Sequence, residues 1–399
     1  MIPIKPASPP DHALSPEWGQ SLSTGAAGIA LLHIEYARAG TGTWTTAHEW
    51  IVAMTRSPVT ACPNSCGLYH GAPAVAFTLH AAGHSAYATA LDTVDRHITT
   101  LTRRRLALAH ERIDRRHLPA LREFDLISGL TGIGVYLLGR HSGGDLLRDV
   151  LTYLVRLTEP LKFDGEVLPG WWCGDGPAGQ PSRRWPGGHA NLGMAHGIAG
   201  PLALLSTALR RGVAVAGQYE SINRICRSLD QWCCGTGPQA WWPGIVSRSE
   251  LHARAVRLPG PQRPSWCYGT PGLARAQQIA ALVLADPRRQ RRAEEALIGC
   301  VTDDRQLSQL SDASLCHGWA GLLQSAWHAD TDAGGKLAEH LPYLRTRMED
   351  HLHRHGMPVH NGVLNGLLEG TAGIRLVQHT TAENDPSVTR WDACLLLDG

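Results

Sequence analysis

Seven times along its 399 residues the chain returns to one short element, a Gly-x-x-Gly pair that opens an apolar run. The first glycines are Gly25, Gly71, Gly129, Gly197, Gly269, Gly318 and Gly370. Only the second copy departs, with Ala74 in place of its second glycine. Three residues before the first glycine stand Leu22, Leu68, Leu126, Met194, Trp266, Leu315 and Leu367. Four residues after it stand Ile29, Val75, Ile133, Pro201, Leu273, Leu322 and Ile374. A repeat of this kind constrains the fold more than composition does, because one unit cannot bury its own apolar face and must stack on its neighbours.

The segments between copies read as amphipathic helices. "GDLLRDVLTYLVRLTEP" places Leu147, Val150, Leu151, Leu154 and Leu157 at helical spacing. "DPRRQRRAEEALIGCV" and "GGKLAEHLPYLRTRMEDHLHRHG" have the same character, with charged outer faces, and "TAHEW" offers a Thr46-x-x-Glu49 capping box for an early helix. Each unit is thus an amphipathic helix, a loop and a more apolar, glycine-initiated helix. Closing seven such pairs removes the exposed end faces, and the chain shows no polar terminal caps. The expected fold is therefore all-α: a single α/α toroid spanning 1–399, with an inner and an outer ring. Two connectors, at about 163–191 and 234–265, are rich in Gly, Pro and Trp and lack helical periodicity. They are expected to lie over one end of the ring as a small β-rich insertion.

Composition narrows the partners. The formal charge of +2 gives no electrostatic reason to bind nucleic acid or an anionic membrane, so membrane association is expected only through partners. The N-terminal stretch has no apolar signal core and no later run approaches a membrane span, which predicts a cytoplasmic protein. Ten cysteines in a reducing compartment then read as buried, metal-binding or catalytic thiols rather than disulfides.

Aligning the repeats turns those cysteines into a pattern. Two residues before the first glycine stand Ser23, Tyr69, Ile127, Ala195, Cys267, Cys316 and Leu368, so cysteine falls in this column only in units five and six. Neighbouring units place equivalent positions at one height, so Cys267 and Cys316 should face each other, with His317 adjacent. Two cysteines and a histidine suit Zn²⁺ and leave the fourth tetrahedral position open, the catalytic arrangement. The next column holds Thr24, His70, Ser128, His196, Tyr268, His317 and Glu369, all able to hydrogen-bond. From it His196 emerges as a candidate acid or base. Asp125 occupies the place of Ser21, Ser265 and Ser314, where an N-cap is the simplest role. Cys62, Cys66 and His70 in "CPNSCGLYH" also have ligand-like spacing, but unit two offers no partner in a neighbouring column.

The stretches "RPSWCYGTPG", "SLCHGWAG" and "GMAHGIAGP" resemble the motifs of stand-alone class I lanthipeptide cyclases, the LanC-like family, and the resemblance runs through all seven units. It implies one Zn²⁺ per chain on Cys267, Cys316 and His317, and an active site lined by Arg263, Tyr268, His196 and Asp125. It also implies the reaction: peptide cysteines add to dehydroalanine or dehydrobutyrine, giving thioether rings. The substrate would be a dehydrated precursor peptide, and a separate dehydratase would prepare it. In that reading Arg263 is suited to stabilise the enolate, His196 to supply the α-carbon proton, and Asp125 to orient a neighbour or take the thiol proton. The alternatives are addition of glutathione or another free thiol, a non-catalytic peptide-binding toroid, and a zinc alkyltransferase acting on an isoprenoid.

Overall fold

The computed structural model describes residues 8–10, 15–360, 363–364, 366–383 and 387–399. Among these, each Gly-x-x-Gly element opens a helix that forms part of an inner ring. The seven inner helices are Ala26–Arg38, Ala72–Ala82, Leu130–Arg140, Ala199–Arg210, Thr270–Leu284, Trp319–Ala333 and Thr371–Glu383. Each packs on the next, and the seventh packs on the first, closing the toroid. Trp44–Met54, Ala88–Asp114, Asp145–Leu157, Gln218–Gln231, Pro287–Thr302 and Leu341–His355 lie outside them, while the outer member of unit one is the single turn Pro16–Gly19.

The division into rings follows from side-chain periodicity. Asp145–Leu157 buries Leu147, Val150, Leu151, Leu154 and Leu157 on one face and leaves charge on the other. Inner helices are covered on all sides, so Thr270–Leu284 buries even Arg275, whose guanidinium pairs with Asp332 of the next inner helix at 2.8 Å. The early outer helix starts differently from expectation. Its N-cap is Thr43, whose hydroxyl accepts from the Thr46 N–H at 3.2 Å, so Glu49 lies in the helix interior and there is no Thr46–Glu49 box.

At the mouths of the units the closure is a ring of backbone hydrogen bonds. Leu22 donates to the Tyr69 carbonyl (3.0 Å), Tyr69 to Ile127 (3.3 Å) and Leu126 to Ala195 (3.1 Å). Met194 then donates to Cys267 (2.9 Å), Cys267 to Cys316 (3.3 Å), Cys316 to Leu368 (2.9 Å) and Leu368 to Ser23 (3.0 Å). Every acceptor in this circuit belongs to the column two residues before the first glycine. The second glycine of the element makes the turn possible: a Cβ on Gly272 would stand 2.0 Å from the Trp266 carbonyl oxygen, and one on Gly321 would stand 2.1 Å from that of Leu315. Unit two turns differently, with Gly71 at φ 75°, and its helix accepts Ala74.

The centre of the ring is filled by the segment 387–399. Trp391, Cys394, Leu395 and Leu397 are fully buried there. Hydrogen bonds reach the segment from around the ring: Tyr69 Oη donates to the Cys394 carbonyl (2.9 Å), Trp266 Nε1 to that of Leu395 (3.0 Å) and Arg275 Nε to that of Leu397 (2.8 Å). Gln324 Nε2 donates to Asp392 (2.9 Å), and Trp391 Nε1 donates to Thr380 (3.2 Å). Glu35, buried in the first inner helix, accepts from the Val388 and Thr389 N–H groups, both at 3.0 Å.

The two long connectors pair with each other over the mouths. His189–Asn191 runs antiparallel to Ile245–Ser247, with Ala190 opposite Val246. A hairpin of Leu161–Phe163 and Glu166–Leu168 precedes them. Their tryptophans fasten them down: Trp172 Nε1 donates to the Gly187 carbonyl (2.9 Å) and Trp242 Nε1 to that of Leu229 (3.1 Å). No helix among the described residues is long and apolar enough to cross a membrane.

Candidate active site

Because Cys267 donates its backbone N–H to the Cys316 carbonyl, the two side chains leave the backbone circuit side by side. His317 follows directly. The ligand atoms of Cys267, Cys316 and His317 lie within 4.8 Å of one another, and they form the one such group of three or more potential ligands among the described residues. Two sulfurs and an imidazole nitrogen at this separation fit a borderline-soft tetrahedral ion with one position left for another ligand. The electrostatics agree. The first thiolate of the pair is stabilised by the neighbouring thiol and then by His317, and the charge so formed opposes ionisation of the second sulfur. A cation at the site would relieve that repulsion, since cysteine ligands bind as thiolates.

His317 is itself held. Its Nε2 stands 3.3 Å from a carboxylate oxygen of Asp312, and this bond, followed by that to Cys267, pushes the imidazole up to about 9. The Ser314 N–H donates to the same carboxylate at 2.8 Å, so Asp312 is fixed by the turn it serves.

A second polar pair bridges units three and four. His196 Nδ1 and Asp125 Oδ2 are 2.6 Å apart, while Asp125 Oδ1 accepts from the Ser128 N–H at 2.7 Å. Asp125 therefore caps its own turn with one oxygen and orients a histidine of the next unit with the other. Burial alone would lower the His196 pKa, but the hydrogen bond and charge of Asp125, with a contribution from Cys267, raise it. Tyr268 stacks beside His196 with ring centroids 6.3 Å apart, and its hydroxyl accepts from Asn191 Nδ2 at 3.2 Å. Burial pushes its phenol up to about 12, against that hydrogen bond.

Above these groups the connectors form a groove of about 1250 Å³ whose lining includes Cys267, Tyr268, Ser265 and the half-buried Arg263. Arg263 is close enough to lower the electrostatic energy of charge at Cys316 and to oppose protonation of His317. All seven residues singled out in the sequence thus lie in the mouths of units three to six. A family model for lanthionine synthetase C-like proteins matches residues 16–396. The chain belongs to that family. Among similar proteins, the nisin biosynthesis protein NisC of Lactococcus lactis subsp. lactis is 26% identical over 340 residues, which are 83% of this chain and 77% of that protein. A solved structure of nisin cyclase superimposes with a TM-score of 0.77, covering 95% of this chain and 93% of its own at 24% identity. At that identity the likeness speaks for the toroid.

Two polar residues of this LanC-like site escaped the column analysis. Asn191 and Asp312 both stand six residues before the first glycine of their unit, the position Arg263 holds in unit five. Three consecutive units therefore send a polar side chain from this column toward the same mouth. Cys62, Cys66 and His70 do not assemble into a comparable group. Cys66 Sγ is buried, accepting from the Cys62 N–H and donating to the Thr60 carbonyl, each at 3.2 Å, while Cys62 lies exposed.

Proposed function

We propose that the chain is a zinc-dependent lanthionine cyclase that adds cysteine thiols of a dehydrated peptide to dehydroalanine or dehydrobutyrine in the same molecule. The observation that carries this reading is the convergence of Cys267, Cys316 and His317 beneath a peptide-sized groove, with the His196–Asp125 pair beside them. Membership of the family and the likeness to nisin cyclase support it. Cys267, Cys316 and His317 would hold Zn²⁺, which when bound lowers the pKa of a substrate thiol so that a thiolate exists at neutral pH. With His317 Nε2 held by Asp312, Nδ1 is the nitrogen left to serve as ligand.

The remaining roles fall to the chain's own groups. The peptide sulfur forms a bond to the β-carbon of the dehydro residue, and the π electrons of the alkene pass to the α-carbon and its carbonyl. Arg263, facing the metal ligands from the groove, stabilises the developing enolate oxygen. His196 holds a proton more readily than a free imidazole, and with Nδ1 on Asp125 it presents Nε2 to the α-carbon, which takes that proton. Tyr268, whose phenol stays neutral, walls the site. The groove holds both ends of the peptide together and removes part of the entropic barrier to closing a ring. A separate dehydratase would supply the dehydrated peptide.

Incubating the purified chain with a dehydrated cysteine peptide, then alkylating free thiols and weighing the product, tests the assignment. The expected product has the mass of the substrate and fewer alkylatable cysteines. An unchanged count of free cysteines defeats the reading. Adducts of added glutathione, with peptide thiols left free, would reassign the chain to intermolecular thiol addition.

A further inference from the structure

The groove over Cys267 is much more basic than the chain as a whole. Its charged lining comprises Arg184, Arg248, Arg257, Arg263 and a single carboxylate, Glu250, with His252 beside them. Glu250 is turned to internal use. One oxygen accepts from the Ser247 N–H at 2.9 Å and its hydroxyl at 2.6 Å, and the other accepts from the Arg257 N–H at 2.9 Å. It closes a capping box for the short helix Arg248–Ala253, so both of its oxygens are engaged within the fold.

Two of the nitrogen-bearing side chains are also engaged. Arg248 and His252 share the carboxylate of Glu166, at 3.1 and 3.0 Å, and Arg248 lies over the Trp172 ring at 5.8 Å. Arg184, Arg257 and Arg263 remain, with no carboxylate within ion-pair distance among the described residues. Arg263 points to the reaction, as argued above. Arg184 and Arg257 are exposed, come from different connectors and both line the groove. Trp185 and Leu258, each next to one of these arginines, add apolar surface to the same lining.

A groove whose lining holds guanidinium groups without a close ion-pair partner, beside Cys267, selects a ligand by charge complementarity. We propose that Arg184 and Arg257 form a carboxylate-binding subsite that favours peptide substrates with acidic residues flanking the reacting cysteine. The occupant is a peptide because the groove opens over Cys267, so the proposal rests on the cyclase reading for the identity of its ligand. The binding itself requires neither metal nor turnover. Guanidinium forks suit carboxylates in pairs, and Trp185 and Leu258 accommodate apolar residues interspersed with them.

The test is therefore made with a peptide that cannot react. A fluorescein-labelled, cysteine-free peptide with a short run of aspartates is compared with its asparagine counterpart by anisotropy, at low and high salt. The wild-type protein should bind the aspartate peptide roughly ten-fold more tightly at low salt, an advantage that shrinks as ionic screening increases. In the double variant Arg184→Ser, Arg257→Ser the two peptides should bind alike, with metal content and thermal midpoint unchanged. Equal binding of both peptides by the wild type overturns the proposal. So does an advantage that survives intact in the double variant. Failure of the cyclase reading would show separately, as loss of ring formation on a dehydrated peptide.

Discussion

At the mouth of unit two, Cys62, Cys66 and His70 crowd into one short stretch of chain, whereas Cys267 and Cys316 are separated by an entire repeat. Spacing along the chain favours the first set, yet the second is the one that converges. The reason lies in the ring. Cys267 and Cys316 occupy the column whose carbonyls close the backbone circuit, so adjacent units bring their side chains together. Cys62 lies outside that column, and Cys66 turns its sulfur to the local backbone, where it bonds the Cys62 N–H and the Thr60 carbonyl. In a closed repeat, equivalence between units is a better guide to which side chains converge than proximity in sequence.

The largest effect that should separate the two mouths is on the metal. Cys316→Ala is expected to lose bound zinc after dialysis and to abolish ring formation. Cys66→Ala should keep both and cost on the order of 1 kcal/mol in stability for the lost packing, read from denaturant unfolding. Full zinc in Cys316→Ala would erase the distinction.

A smaller effect should isolate proton transfer from metal binding. His196→Asn is expected to retain zinc and slow cyclisation by roughly 10²–10⁴-fold, the range for a positioned acid or base. The pH profile carries the same information. The folded His196 pKa is raised above 6.5, so its proton is held in the fold, and the associated stability is fully present below that value and lost as pH rises through the folded pKa. The rate should fall through the same window. Asp125→Asn removes the carboxylate whose hydrogen bond and charge do most to raise the pKa, so the falling limb should move to lower pH. A limb that stays in place would assign the proton to another group.

The smallest effect concerns the support behind His317. Asp312→Asn should weaken zinc binding by roughly 10–100-fold, measured by competition with a chelator, without emptying the site at saturating metal. Unchanged affinity would reduce Asp312 to a turn residue.

The repeat, the ring and the convergence of Cys267, Cys316 and His317 were legible because each leaves a column of side chains to compare. Asn191 and Asp312 were equally available in the column of Arg263, but one arginine, one asparagine and one aspartate share no residue type that draws the eye. The capping box at Thr46 was a slip of three residues between two threonines that could each start the helix, and Thr43 is the one that does. The backbone circuit has no side-chain signature. The segment in the middle of the ring has none either, since its bonds join residues as distant as Tyr69 and Cys394, and many of them end on carbonyl or N–H groups that every sequence possesses. What sequence misses here is mostly contact that ends on the main chain.

That central segment also sets an order of events during biosynthesis. Residues 387–399 follow all seven glycine elements in the chain, so each inner helix leaves the ribosome before the residues that will cover its inward face. A nascent chain of four or five units can form hairpins of helices, which need only local contacts, but it exposes an apolar concavity. The toroid is complete only when the segment that follows its last glycine element has been made, and until then a chaperone able to shield that concavity has a surface to hold.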